Sequence, residues 1–151
     1  MARTTVASFT DTIYEISPSL PETYDDVGYG ALADHVPIDK VQSFLPYGSM
    51  RAVNEFRPIR GAIEYTKGSA NYGAGDMAMG DMPEDAGQIV LKNAEESINH
   101  YSLKITYPDG VIHHLDVINS AWRLTESTEG TSMIRTATLN ICKKPVEIVP
   151  V

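Results

Sequence analysis

Cysteine is nearly absent from this chain: Cys142 is the only one in 151 residues, so no intrachain disulfide can form. It sits in the strand-like run Thr138-Leu139-Asn140-Ile141-Cys142, where a thiol reads as a small buried hydrophobe rather than a nucleophile. Tryptophan occurs once, as Trp122, and phenylalanine three times, against eight tyrosines. Tyr has an apolar body and a polar tip, which suits half-wet surfaces and interfaces as well as cores. No apolar run approaches the ~18 residues that a membrane span requires. The lone cysteine fits a reducing compartment, and the N-terminal residues lack the apolar stretch of a secretion signal.

Positive charge is also scarce. Twelve Lys and Arg face twenty Asp and Glu, for a net charge of −8. That excludes an ordinary nucleic-acid grip, which depends on clustered cations displacing counterions. A surface past which DNA must slide would avoid such a grip. The basic residues are unevenly placed. Residues 51–67 carry Arg51, Arg57, Arg60 and Lys67 against two acids, and acidic segments flank them. Charge of that pattern can pair within the fold or with a neighbouring copy.

Catalytic signatures are missing too. No Gly-x-Ser-x-Gly elbow is present, and Gly73-Ala74-Gly75 lacks the context of a phosphate-binding loop. The carboxylate pairs read as solvated faces. His113 and His114 are neighbours on a strand and point to opposite sides, so they do not form a metal pair, and His35 and His100 have no ligand spacing to them. His114 and Asp116 share a face and are expected to pair. Neither a catalytic site, a cofactor nor a metal is expected.

What is present is β-structure. Tyr101, Leu103, Ile105 and Tyr107 alternate with Ser102, Lys104 and Thr106, which predicts a strand with its polar set turned outward. Pro108-Asp109-Gly110 supplies a turn into a second strand, Val111 to Val117. Further strands are expected at 11–17, 36–44, 118–124, 133–142 and 145–149. One helix is expected at about residues 84–97, opened by Asp81 and Glu84 at capping-box spacing and apolar along Ala86, Ile89, Val90, Ala94 and Ile98. Pro18 to Tyr29 reads as a structured loop anchored by Leu20, Tyr24, Val27 and Tyr29. Residues 1–10 read as a flexible arm, and 45–82, rich in Gly, Met and Tyr, as a long loop that orders against a partner, with short strands at 53–56 and 62–65. The expected fold is a single domain over residues 1–151. It is mainly β (α+β), a β-sandwich or barrel of two packed antiparallel sheets flanked by one helix.

Several segments, taken in order, resemble the tail tube (major tail) proteins of long-tailed bacteriophages. They are Leu20-Pro21-Glu22-Thr23-Tyr24-Asp25-Asp26-Val27-Gly28-Tyr29, then Phe56-Arg57-Pro58-Ile59 with Lys67-Gly68-Ser69-Ala70-Asn71-Tyr72-Gly73, then Asp85-Ala86-Gly87-Gln88, and last the Tyr-Pro-Asp-Gly hairpin. The resemblance implies a structural virion protein, not an enzyme. Its copies would form hexameric rings that stack into a tube and pass phage DNA through an acidic lumen. The arm and the long loop would contact neighbouring copies, and tail terminator, tape measure and baseplate proteins would be further partners. Residues expected at subunit contacts are Tyr24, Tyr29, Met50, Arg51, Phe56 and Arg57. Arg60, Tyr65, Lys67, Tyr72, Met77 and Met79 complete that set. Deleting residues 48–80 is expected to leave a folded monomer that makes no tubes. Another tail ring protein, such as a terminator or a baseplate hub component, or a carbohydrate-binding sandwich are the alternatives.

Overall fold

The computed structural model describes residues 5, 6, 8, 10–45, 47–126 and 128–150. Most of the expected arm, residues 1–10, lies outside the described residues. Ten strands and two helices follow in the order β1 (Ile13–Ser17), α1 (Asp26–Gly30), β2 (Val36–Pro37), β3 (Val41–Leu45), β4 (Met50–Phe56), β5 (Glu64–Asn71), β6 (Ala74–Gly80), α2 (Ala86–Glu96), β7 (Tyr101–Thr106), β8 (Ile112–Glu126), β9 (Ile134–Ile141) and β10 (Val146–Ile148). Eight strands form one antiparallel sheet in the order β2-β1-β7-β8-β9-β6-β3, with β10 beside β8. β4 and β5 pair with each other as a separate sheet.

The large sheet curls over its own core. β1 and β3 stand near opposite ends of the strand order, yet the rings of Tyr14 and Phe44 meet edge to face at 6.4 Å. The Ile38 amide also donates to the Tyr14 carbonyl at 2.8 Å. Ile16, Leu103, Ile105, Leu115, Leu139, Met77 and Met79 lie on the inside with no solvent exposure. The inward positions of β7 are its odd-numbered residues, as period 2 predicts.

The β7–β8 turn follows from its residues. Gly110 adopts φ +91°, its amide donates to the Tyr107 carbonyl at 3.0 Å, and Asp109 Oδ1 accepts from the Val111 amide at 3.2 Å. β8 does not stop at Val117. It runs for fifteen residues, pairing with β7 and then with β9, and two bulges near Ser120 and Thr125 let it bend around the core. The expected separate strand at 118–124 is its second half.

The expected solvent face of β7 is a correction. Ser102 is fully buried, and its hydroxyl donates to the Ser19 carbonyl at 2.8 Å. The segment from Pro18 to His35 lies over this outer face. Its Tyr29 ring is buried and stacks on His114 at 4.7 Å, whereas Leu20, Tyr24 and Val27 are exposed. The segment also contains a short helix, α1, so the described residues hold two helices and not one.

α2 starts at Ala86, with Asp85 rather than Asp81 as its cap; the Asp85 carboxylate accepts from the Gln88 amide at 3.1 Å. Its buried row is Gly87, Gln88, Leu91 and Ala94, while Ile89 and Ile98 are exposed. The apolar spacing misled because the two residues nearest the sheet are a glycine and a glutamine. Gly87 is there for contact: a Cβ would stand 2.2 Å from the Pro37 carbonyl oxygen. Gln88 meets its polar needs at three backbone groups, donating to Asp39 and Gly80 carbonyls and accepting from the Met82 amide.

Residues 45–82 are likewise not irregular. They comprise the β4–β5 hairpin and β6, a strand inside the large sheet between β9 and β3. A deletion of 48–80 would therefore remove part of the core, and the excisable unit is the hairpin alone.

Candidate assembly surface

Every residue of β4 is exposed, and so are most of those of β5. Met50, Val53, Phe56 and Tyr65 are each more than 60% exposed, and Ile59 at the tip is fully open to solvent. A two-stranded ribbon is only marginally stable by itself in water. This one has a ladder from Met50↔Asn71 to Phe56↔Glu64 with a bulge between Arg51 and Val53, but buries no core. It thus presents apolar area that gains free energy only against another surface.

Charge marks the same element. Arg51, Arg57, Arg60 and Lys67 lie on it with Glu55 and Glu64, for +2 over residues 51–67, so the rest of the chain carries −10. Arg57 bonds back to Glu55, and Arg51 Nη1 donates to the Gly68 carbonyl at 3.3 Å. At these exposed positions each contact contributes little to stability. The basic ribbon and the acidic body suit each other across copies.

The root of the ribbon is anchored. The Gly48 amide donates to the Tyr72 carbonyl at 3.1 Å, and the Gly73 amide to Asn71 Oδ1 at 2.9 Å. Gly48 and Gly73 both take positive φ, which lets the chain leave the body and return. Tyr47 fixes this corner to the barrel end: its hydroxyl bonds the Tyr107 hydroxyl and lies 2.7 Å from His113 Nδ1. Burial, then the bond to Tyr107, raises the Tyr47 phenol far above its ordinary value, so it stays a neutral donor. A shallow apolar hollow lined by Tyr47, Gly48, Met50, Asn71 and Tyr72 sits at the root.

The expected contact residues separate into three places. Met50, Arg51, Phe56, Arg57, Arg60, Tyr65 and Lys67 lie on the exposed ribbon or its tip, and Tyr72 is half-buried at its foot. Tyr24 is exposed on a different surface, beside α1. Tyr29, Met77 and Met79 are the corrections: all three are buried within the monomer, so they offer nothing to a neighbour. Val53 and Ile59 are exposed ribbon positions that were not singled out; their signal is an apolar residue within a short, otherwise polar strand pair. The expected His114–Asp116 pair does not form either. Asp116 Oδ1 lies 2.9 Å from His100 Nδ1, and His114 stacks on Tyr29 instead, with the His35 ring tilted at 6.3 Å.

One edge of the large sheet is also open. Among the described residues, β3 pairs only with β6, whereas β2 is two residues long, Pro37 has no N–H, and its carbonyl faces Gly87 of α2. The outer N–H and C=O groups of β3 can extend a ladder into another chain.

No family model and no curated protein matches the chain. Solved structures do, over nearly its whole length. The SPP1 tail tube superposes with a TM-score of 0.68 at 14% identity, covering 97% of this chain and 81% of that one. The chain has the tail-tube fold. A chain from the structure of the PVC extracellular contractile injection system's sheath/tube terminator in the extended state matches with a TM-score of 0.70 at 8% identity, covering 96% of this chain and 98% of the other. The tail of a GTA particle, refined with six-fold symmetry, matches at 0.66 and 7% identity, covering 97% and 100%. The fold is thus mainly β, as the tail-tube resemblance implied, with a large antiparallel sheet, a small one, and two helices where one was expected.

Proposed function

We propose that this chain is a ring-forming structural subunit of a phage-type tail tube, with no catalytic role. Copies join edge to edge into hexameric rings, and the rings stack into a conduit for DNA ejection from the virion. The observation that carries this reading is the β4–β5 ribbon, an exposed apolar and basic element on a complete tail-tube fold. In a stacked assembly the ribbon docks on a neighbouring copy, where Phe56, Tyr65 and Met50 lose water and the four cations meet acidic surface. The open edge of β3 joins sheets around the ring. A net charge of −8 fits a lumen along which DNA slides without binding. Tape measure, terminator and baseplate proteins are the partners such a tube requires.

A second reading has a specific observation behind it: one of the matching structures is of a PVC sheath/tube terminator, and its chain matches as well as those of the tail tubes do. A terminator would form a single ring and cap rather than repeat. Negative-stain electron microscopy of the purified full chain separates the two. Long tubes of uniform width are expected, and single rings would establish the terminator. A chain with residues 50–71 replaced by a short Gly-Ser turn should keep its circular dichroism spectrum and make no tubes. Normal tubes from that variant would overturn the role given to the ribbon.

A further inference from the structure

A side-chain cluster stands where the entry of β7, the middle of β8 and the exit of β9 lie side by side. The register pairs Ser102 with Asp116 on β7 and β8, and Val117 with Ile141 on β8 and β9. It follows that Asp116 and Cys142 stand opposite each other, and the Cys142 amide donates to the Asp116 carbonyl at 2.8 Å. His100, two residues before Ser102, lies on the same outer face. A ring nitrogen of His100, a carboxylate oxygen of Asp116 and the Cys142 sulfur all fall within 4.8 Å of one another.

One of the three is conspicuously incomplete. Asp116 is 1% exposed, and its Oδ2 has no hydrogen-bond partner. Leaving a buried carboxylate oxygen unmatched is costly, and an electrophile in the cluster would satisfy it. The Cys142 thiol has only a weak contact, 3.6 Å to the Asn140 carbonyl. Tyr24 stands beside the cluster with Lys143 Nζ 4.9 Å from its ring centre. Its hydroxyl approaches Asp116 without making a hydrogen bond at Oδ2.

We propose that His100, Asp116 and Cys142 bind a zinc-class divalent cation. A nitrogen, oxygen and sulfur set suits a borderline-soft, tetrahedral ion, whereas magnesium and calcium take oxygen ligands alone. Zinc bonds of about 2.0–2.3 Å at tetrahedral angles put ligand atoms about 3–4 Å apart, so small rotations of His100 and Cys142 complete the site. Three protein ligands leave a fourth position for water or the Tyr24 hydroxyl. Binding displaces the thiol proton to solvent, because the ligand is the thiolate. The ion would tie the entry of β7 and the exit of β9 to the middle of the sheet and stabilise the folded state by mass action.

Cobalt(II) added to the full chain, stripped of metal by a chelator, tests this. Cys142 is the only thiol, so a thiolate-to-cobalt charge-transfer band can come from nowhere else. The native chain should give that band, saturating at one equivalent, and zinc should abolish it. Cys142→Ala should show none, and His100→Ala, a change at a partly exposed side chain, should weaken cobalt binding by about tenfold or more. Zinc should raise the melting temperature of the native chain and not of either variant. No band from the native chain, or unchanged cobalt affinity in His100→Ala, overturns the site.

Discussion

The large sheet and the β4–β5 ribbon are built from the same antiparallel ladder and differ in what lies on their faces. In the sheet, Leu103, Ile105, Leu115 and Leu139 are wholly removed from water, and part of the outer face of β7 and β8 is covered as well. In the ribbon, Val53 and Phe56 stand three residues apart on β4 and so turn to opposite faces, and both faces are wet. Backbone hydrogen bonds are common to the two regions and so do not explain the difference. Burial does: a sheet holds itself together when it can fold over its own apolar side, and a ribbon without that opportunity needs a partner. The same contrast separates the residues that fold the monomer from those left to assemble it.

The largest expected effect breaks the body. Gly87→Val would drive a side chain into the Pro37 carbonyl and the Ile38 backbone, at 2.2 and 2.7 Å from the new Cβ. Neither neighbour is a flexible side-chain end, so α2 must lift from the strand. A loss of about 3 kcal/mol or more is expected, seen as a lower urea midpoint at unchanged slope. A midpoint within experimental error of the native one would mean that α2 does not pack against the Pro37–Ile38 backbone as described.

A smaller effect sharpens the contrast by pH, because the body buries histidines and the ribbon has none. His114 is 2% exposed, and its pKa is pulled down to about 4, chiefly by burial and then by His35, Lys104 and His113. Burial also lowers His35. The unfolded chain binds the proton near pH 6.5, the folded chain only near 4. Between those values the unfolded state holds more protons, so stability falls as pH drops through that window, by on the order of 2 kcal/mol at its foot. His114→Phe keeps a ring against Tyr29 and removes the titration. Its melting temperature should fall less steeply from pH 6.5 to 4, and an unchanged slope would place the acid sensitivity elsewhere.

Much of this contrast was legible in the residues. The alternation from Tyr101 to Tyr107 and the Pro108-Asp109-Gly110 turn dictate a buried hairpin, and the structure has it. Period 2 says which residues share a face, however, and not what covers the face, so Ser102 looked exposed until residues 18–35 were seen to lie over it. Met77 and Met79 looked like interface residues because glycines surround them; in β6 those glycines and alanines are the small positions of a central strand. The helix face slipped because Gly87 and Gln88 answer to close contact and backbone hydrogen bonds, which apolar spacing does not register. His100, Asp116 and Cys142 are far apart in sequence, and only the strand order makes them neighbours.

The smallest expected effect on the fold is at the ribbon, and it tests the contrast most directly. Phe56 is 62% exposed on β4, opposite Glu64, and touches no core. Phe56→Ser should therefore change monomer stability by no more than about 0.5 kcal/mol, measured by urea unfolding at a concentration where the protein is monomeric. An aromatic residue so placed in a folded body would cost several times more on truncation. The same variant should assemble poorly, because its apolar area stabilises only the contact between copies. A large loss of monomer stability would show that the ribbon folds back onto the body in solution, and the division between a self-sufficient sheet and a partner-dependent ribbon would fail.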